Sequence, residues 1–218
     1  APPRPAAGQA PARRLGSLVA TMAPGWNAMV FKPGTALQIR AGAVLTFQMH
    51  YTASGTPRTD QSKVGFVFAP EPPAQEMRAG SFINARLEIP AGAAHHRVDA
   101  EVGFAQDVHV WGLFPHTHLR GVKWEYTLVH PDGRTEKILD VSRYDFNWQT
   151  YYMFTKPLAV TRGSRIRSSA WYDNSANNPA NPDPSVTVRW GDQTWEEMQY
   201  TGITYTVDAT PPPSGRAR

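Results

Sequence analysis

Cysteine is missing from all 218 residues. That excludes a disulfide framework, a thiolate metal site and a cysteine nucleophile. Long apolar runs are missing as well: no stretch approaches the roughly 20 apolar residues that cross a bilayer, and no signal peptide is visible. No Gly-rich loop follows a strand and opens a helix, no Ser-centred elbow is present, and the acidic residues are scattered without an evident pair. Phosphate-loop, serine-hydrolase and paired-carboxylate chemistry therefore have no foothold. A basic stripe is missing too. The formal charge is +4, but Arg4, Arg13, Arg14, Arg216 and Arg218 lie in the terminal tails and leave the body near −1. Nucleic acid is not an expected partner, because its recognition needs basic residues interleaved with aromatics along a body element.

What is present is β-forming. Hydrophobic residues make up 41% of the chain and aromatics 11%, enough for a sizeable core. Residues 1–14, APPRPAAGQAPARR, and 209–218, ATPPPSGRAR, read instead as extended, coreless tails. If such tails are ordered, the reading is that they lie on another protein subunit. Residues 15–78 hold short runs punctuated by Pro24-Gly25 and Pro33-Gly34, with strands expected over 43–51, AVLTFQMHY, and 62–69, SKVGFVFA. From 79 to 208 about nine short β-branched or aromatic runs follow one another, bounded by Gly, Pro, Asn or Asp. Pro131-Asp132-Gly133 marks a hairpin turn between two of them. The fold expected is all-β: a complete antiparallel sandwich or jelly roll over 79–208, and a partial one over 15–78. The oxygen-rich run DNSANNPANPD at 173–183 lacks the spacing and terminal bidentate Glu of a calcium loop, and Asx-turns account for it more simply.

One stretch suggests chemistry. Residues 107–121, DVHVWGLFPHTHLRG, end a strand-like run in His116 and His118. Side chains at i and i+2 of an extended segment share a side, so both imidazoles can converge on one ion. A third ligand must come from elsewhere, and the favoured candidate is Met198 in WGDQTWEEMQY. Two imidazoles and a thioether suit copper, Cu(I) above all, better than magnesium or calcium. On spacing alone the signal is weak, since such histidine pairs are more often surface or satisfied core residues and a distant Met is more often core filler. The doublet His95-His96 could share an ion only from a turn, because adjacent strand residues face opposite sides, and it reads as a loop feature.

FQMHYTASG (47–55), DVHVWGLFPHTHLRG and WGDQTWEEMQYTGITYTV (190–207) occur in an order that resembles the copper type II, ascorbate-dependent monooxygenases, the family of the peptidylglycine alpha-hydroxylating and dopamine beta-monooxygenases. RYDFNWQ (143–149) and YDNSANNPANPDPS (172–185) are similar to runs in its bacterial members, and the likeness extends over about residues 24–207. It implies that His116, His118 and Met198 hold the copper at which oxygen and substrate are activated, with ascorbate as reductant if the chain is enzymatic. His109 coincides with a histidine the family often places beside that copper, where it would orient a ligand; it reads equally as a core histidine of the strand. His50 falls on the one histidine that this portion contributes to the family's first, electron-transferring copper. The other two belong upstream, and residues 1–40 contain no histidine, so this chain cannot build that site whole. His50 alone reads as a hydrogen-bonded strand residue.

Other positions depart from the pattern. The peptide-amidating members carry an arginine where Phe114 stands, an asparagine where Tyr200 stands and a tyrosine where Gly202 stands. A phenyl ring cannot replace a bidentate carboxylate clamp, so peptide amidation is not expected. Two functions remain. One is a copper-dependent monooxygenase domain acting at the His116, His118 and Met198 copper. The other, preferred for biological role, is a non-catalytic subunit that keeps the sandwich and docks through its faces and tails on a larger assembly. That assembly is expected to be a membrane-embedded redox or photosynthetic complex, approached from its periplasmic side; an exported, periplasmic or extracellular location suits both readings.

Overall fold

The computed structural model describes residues 18–51 and 53–208. The tails expected to engage another subunit lie outside the described residues. Eleven strands and no helix make up the regular structure there: β1 (Thr35–Leu37), β2 (Gln75–Ile83), β3 (Glu88–Ile89), β4 (His96–Gly103), β5 (Val108–His116), β6 (Gly121–Val129), β7 (Thr135–Val141), β8 (Tyr152–Val160), β9 (Arg165–Tyr172), β10 (Val188–Arg189) and β11 (Tyr200–Val207). They form a five-stranded sheet in the order β1-β2-β11-β5-β8, a four-stranded sheet β4-β9-β6-β7, and a two-stranded ribbon β10-β3. Apart from the short parallel pair β1-β2, every pairing is antiparallel. The all-β sandwich expected from the sequence is the fold observed.

Alternation explains the four-stranded sheet. Trp124, Tyr126 and Leu128 of β6 face Ile166, Ala170 and Tyr172 of β9 and Val98 and Ala100 of β4 in the core. The intervening residues carry charge outward, with Glu101 paired to Arg165 and Arg167, and Glu125 to Lys137. The five-stranded sheet contributes Phe82, Val110, Leu113 and Ile203 to the same core. Polar pairs also cross it: Tyr126 Oη lies 3.1 Å from Thr201 Oγ1, and Gln199 Nε2 donates to Ser168 Oγ at 2.7 Å. The Pro131-Asp132-Gly133 turn joins β6 to β7, closed by Gly133 N donating to His130 O at 2.9 Å, with Gly133 at φ +85°.

The other face of the five-stranded sheet carries the chemistry. Gly112, Phe114 and His116 of β5 stand opposite Thr204, Gly202 and Tyr200 of β11. The segment Ala23 to Lys32 lies against this region, tied by Gln149 N donating to Pro24 O at 2.6 Å and by Lys32 Nζ donating to Thr155 O at 2.6 Å. Gly25 permits the approach. Its φ is +93°, and any Cβ there would come within 3.2 Å of Gln149 O.

Two sequence expectations fail in the first third of the chain. No strand forms over 43–51 or 62–69, although both alternate well. Neither run has a neighbouring strand to pair with, and an unpaired strand must leave its amides to water. Val44 is 90% exposed and Phe68 78%. The run at 173–183 behaves as expected: Asp173, Asn178 and Asn181 side-chain oxygens accept from the amides of Ser175, Ala180 and Asp183 in successive Asx-turns.

Stability should follow this division. Leu113→Ala, at a fully buried core position, should cost about 2–5 kcal/mol in chemical denaturation. Phe47→Ser, at an exposed one, should change stability by less than about 0.5 kcal/mol.

Candidate metal centre

His116 ends β5, and His118 lies two residues into the following connection. Their rings sit with centroids 5.3 Å apart, nearly perpendicular at 79°. The backbone between and after them is held by side chains rather than by a ladder. Tyr144 Oη accepts from Thr117 N at 3.2 Å and donates to Thr117 O at 2.9 Å. Buried Glu197 does the same for the next residues, its Oε2 accepting from His118 N at 2.8 Å and its Oε1 from Arg120 N at 2.7 Å.

Glu197 also reaches the segment that carries Met198. The oxygen that takes His118 N also accepts Met198 N, at 3.2 Å, so both residues hang on one carboxylate. Tyr172 Oη donates to Met198 O at 2.8 Å, completing the hold on that residue's main chain. The antiparallel ladder agrees: Tyr200 pairs with His116, and continuing that register past the last pair sets Met198 across from His118. Met198 is buried but stands outside the sandwich core cluster. Buried Arg120 completes the network, donating to Asn174 Oδ1 and to Trp195 O, both at 2.9 Å.

The ring nitrogens are differentiated. His116 Nδ1 lies 2.6 Å from Gln149 Oε1, and Gln149 Nε2 donates to Phe146 O at 2.8 Å, which fixes the amide's orientation. His118 Nδ1 lies 3.1 Å from Glu196 O. Both acceptors are carbonyl oxygens, so Nδ1 of each ring carries the proton and Nε2 of each keeps its lone pair. Burial lowers both pKa values. His116 falls to about 4, with Gln149 opposing and the His118 and His50 charges assisting. His118 is lowered by burial and by His50, against main-chain acceptors at Glu196 and Gln193. Neutral imidazoles are the form in which histidine binds a metal ion.

The remaining candidates separate. His50 is exposed, and its charge is a lesser influence that lowers the pKa of both rings. His109 is not brought to the pair. It lies seven residues up the strand, roughly 23 Å at 3.3 Å per residue, and its Nδ1 is paired with Asp208 Oδ1 at 2.7 Å. Orientation of the ligand rings falls instead to Gln149 and the Glu196 carbonyl. Among the described residues no group of three His, Cys, Asp or Glu side chains gathers to hold a metal. Sequence reasoning missed Glu197, Arg120, Tyr144 and Gln149. A signal existed for two of them: Glu197 adjoins Met198, and Gln149 closes the RYDFNWQ run.

The architecture is an all-β sandwich that carries a histidine pair at the end of β5. The family follows from comparison: residues 89–206 match the model of the copper type II ascorbate-dependent monooxygenase, C-terminal domain, and the chain belongs to that family. No curated protein matches it. Among solved structures, a chain from "Structure of infectious bursal disease virus Gx strain" is similar at 12% identity and a TM-score of 0.26, over 71% of this chain and 38% of that one. A likeness of that size carries no argument.

Glu197 and His116 oppose each other in acid. Burial pushes the Glu197 carboxyl up to about 7, against its three main-chain donors and the Arg120 charge. A raised carboxyl gives stability that is present below its unfolded value and lost as pH rises through about 7. His116, lowered to about 4, gives stability that is present above its ordinary value and lost as pH falls through about 4. Glu197→Gln should cost about 1–3 kcal/mol at neutral pH, because one acceptor oxygen is lost to buried amides. It should also make metal-free stability fall more steeply between pH 7 and 4 than in the wild type, as followed by urea denaturation across that range.

Proposed function

We propose that His116, His118 and Met198 hold one copper ion, and that the chain serves as the copper-holding domain of a monooxygenase-like protein. The observation that carries this is the geometry of the two rings: their centroids lie 5.3 Å apart, and each Nδ1 lies within hydrogen-bond distance of a carbonyl oxygen that orients its ring. Met198 supplies the thioether that makes the set soft enough for Cu(I). Copper bound there would supply one-electron redox chemistry. Gln149 and the Glu196 carbonyl orient the rings, while Glu197 keeps the two ligand segments in register. Phe114 stacks on His116 at 6.3 Å, and Tyr200 meets its edge at 6.0 Å. Neither of these two rings can clamp a carboxylate in the way an arginine would.

A specific observation favours a second reading, that of a non-catalytic subunit docking on a larger, exported or membrane-associated assembly. Residues 43–51 and 62–69 present Val44, Phe47, Tyr51 and Phe68 to solvent in runs that join no sheet, which leaves them open to strand addition by another chain. On this reading the copper site is kept and the amides of both runs become protected from hydrogen exchange when the partner binds. Unchanged exchange in the isolated assembly would remove it.

Protein purified without stripping its metals should carry about one copper per chain by mass spectrometry of the metal content. His116→Ala and Met198→Ala should lose it, and Gln149→Ala should bind Cu(I) about 10–100-fold more weakly. A wild-type chain that takes up no copper after reconstitution with Cu(I), or a His116→Ala chain that takes up as much as the wild type, overturns the assignment.

A further inference from the structure

His116 is oriented by Gln149, whose Oε1 lies 2.6 Å from His116 Nδ1 and whose Nε2 donates to Phe146 O at 2.8 Å. A side chain fixes a ring only as firmly as its own backbone is fixed. Gln149 is buried, yet it lies between β7, which ends at Val141, and β8, which begins at Tyr152, so no sheet ladder fixes its main chain.

The hold comes from a turn near the start of the described residues. Ala23 N donates to Trp26 O and Trp26 N to Ala23 O, both at 2.8 Å, which closes Ala23-Pro24-Gly25-Trp26 into a tight turn. Gly25 stands at φ +93°, the left-handed conformation that the second central residue of such a Pro-Gly turn adopts. The turn offers Pro24 O to Gln149 N at 2.6 Å. It also sets Gly25 directly against that residue: a Cβ at position 25 would meet Gln149 O at 3.2 Å, Gln149 N at 3.3 Å and Trp148 Cδ2 at 3.3 Å. The two segments stay together beyond the turn, with the Trp26 and Tyr151 rings 5.6 Å apart and Lys32 Nζ donating to Thr155 O at 2.6 Å.

We propose that the Pro24-Gly25 turn is a positioning element for His116 and acts through Gln149. The proposal builds on the reading of His116 as a copper ligand, and it makes the direction of that ring depend on a segment remote from it in the chain. His118 is held by other means: its Nδ1 lies 3.1 Å from Glu196 O, and its amide is taken by Glu197. The two rings are therefore oriented independently, and a displaced turn disturbs one while sparing the other. Gly34 supplies a control built into the same segment. Its φ is +81°, so an alanine there suffers a similar left-handed backbone, but its Cβ would have nothing within 4 Å. Only at position 25 does the added methyl also press on Gln149.

The test reads the rings themselves. The full chain, treated with a chelator and carrying isotopically labelled histidine, is followed by NMR, with the ring Nδ1–H resonances assigned by His116→Ala and His118→Ala. Gly25→Ala should move the His116 resonance and speed its exchange with water about tenfold, while the His118 resonance keeps its position and rate. Gly34→Ala should move neither. Pro24→Ala, which loosens the turn without adding an atom beside Gln149, should also speed exchange at His116, and it carries the test if Gly25→Ala does not fold. Once Cu(I) is added, Gly25→Ala should bind it about tenfold more weakly than Gly34→Ala, the low end of what loss of a ligand's partner costs. An unmoved His116 resonance in the folded turn variant overturns the proposal. So does an equal change at both rings, or an equal effect of Gly34→Ala, because each denotes a general loosening. The ring resonances are read without copper, so failure of the copper assignment is a separate result, seen as absent Cu(I) uptake by the wild type.

Discussion

One carboxylate organises this protein's candidate centre. Glu197 accepts the amides of His118, Arg120 and Met198, and thereby clamps two connections that lie more than 75 residues apart in sequence. A buried carboxylate is expensive to desolvate, and the cost is offset only because every donor is a fixed main-chain amide and a buried guanidinium lies close by. The arrangement converts an otherwise flexible strand end into a rigid one. It does so through main-chain amides and not through the imidazole rings.

The two faces of the five-stranded sheet divide the labour. Leu113 and Ile203 pack inward and make the sandwich stable, while their neighbours Gly112, Phe114, His116, Tyr200, Gly202 and Thr204 turn to the other side. Strand alternation alone produces this separation, because a period of two sends successive side chains to opposite faces. A site built on such a face can change its walls without touching the core. Substituting Phe114 or Gly202 alters what may approach His116 and leaves the inter-sheet packing intact.

Much of this was legible beforehand, and the gaps have physical causes. The sandwich could be read because its strands are short, alternating and bounded by turn residues, and the 131–133 hairpin was specified by local chemistry alone. The histidine pair was visible because i and i+2 is a local relation. Residues 43–51 and 62–69 misled for a converse reason: alternation signals the ability to pair, and pairing needs a neighbour that a local pattern cannot reveal. His109 misled because a shared strand is not a shared place; seven residues carry it to the partner Asp208 instead. Arg120 was hidden because its role is long-range, and Glu197 and Gln149, though they adjoin motif residues, take their partners from distant segments that a local pattern does not reveal.

The separation between His118 and Glu197, 79 residues, bears on the order in which the molecule assembles. Closing so long a loop is slow and entropically costly, and β11, the strand that brings residues 197 and 198 alongside β5, is the last strand among the described residues. Until it docks, the connection after β5 lacks its carboxylate clamp and the segment that carries Met198. A nascent or partly folded chain therefore holds the two imidazoles in no fixed relation, and their arrangement becomes a readout of completed topology.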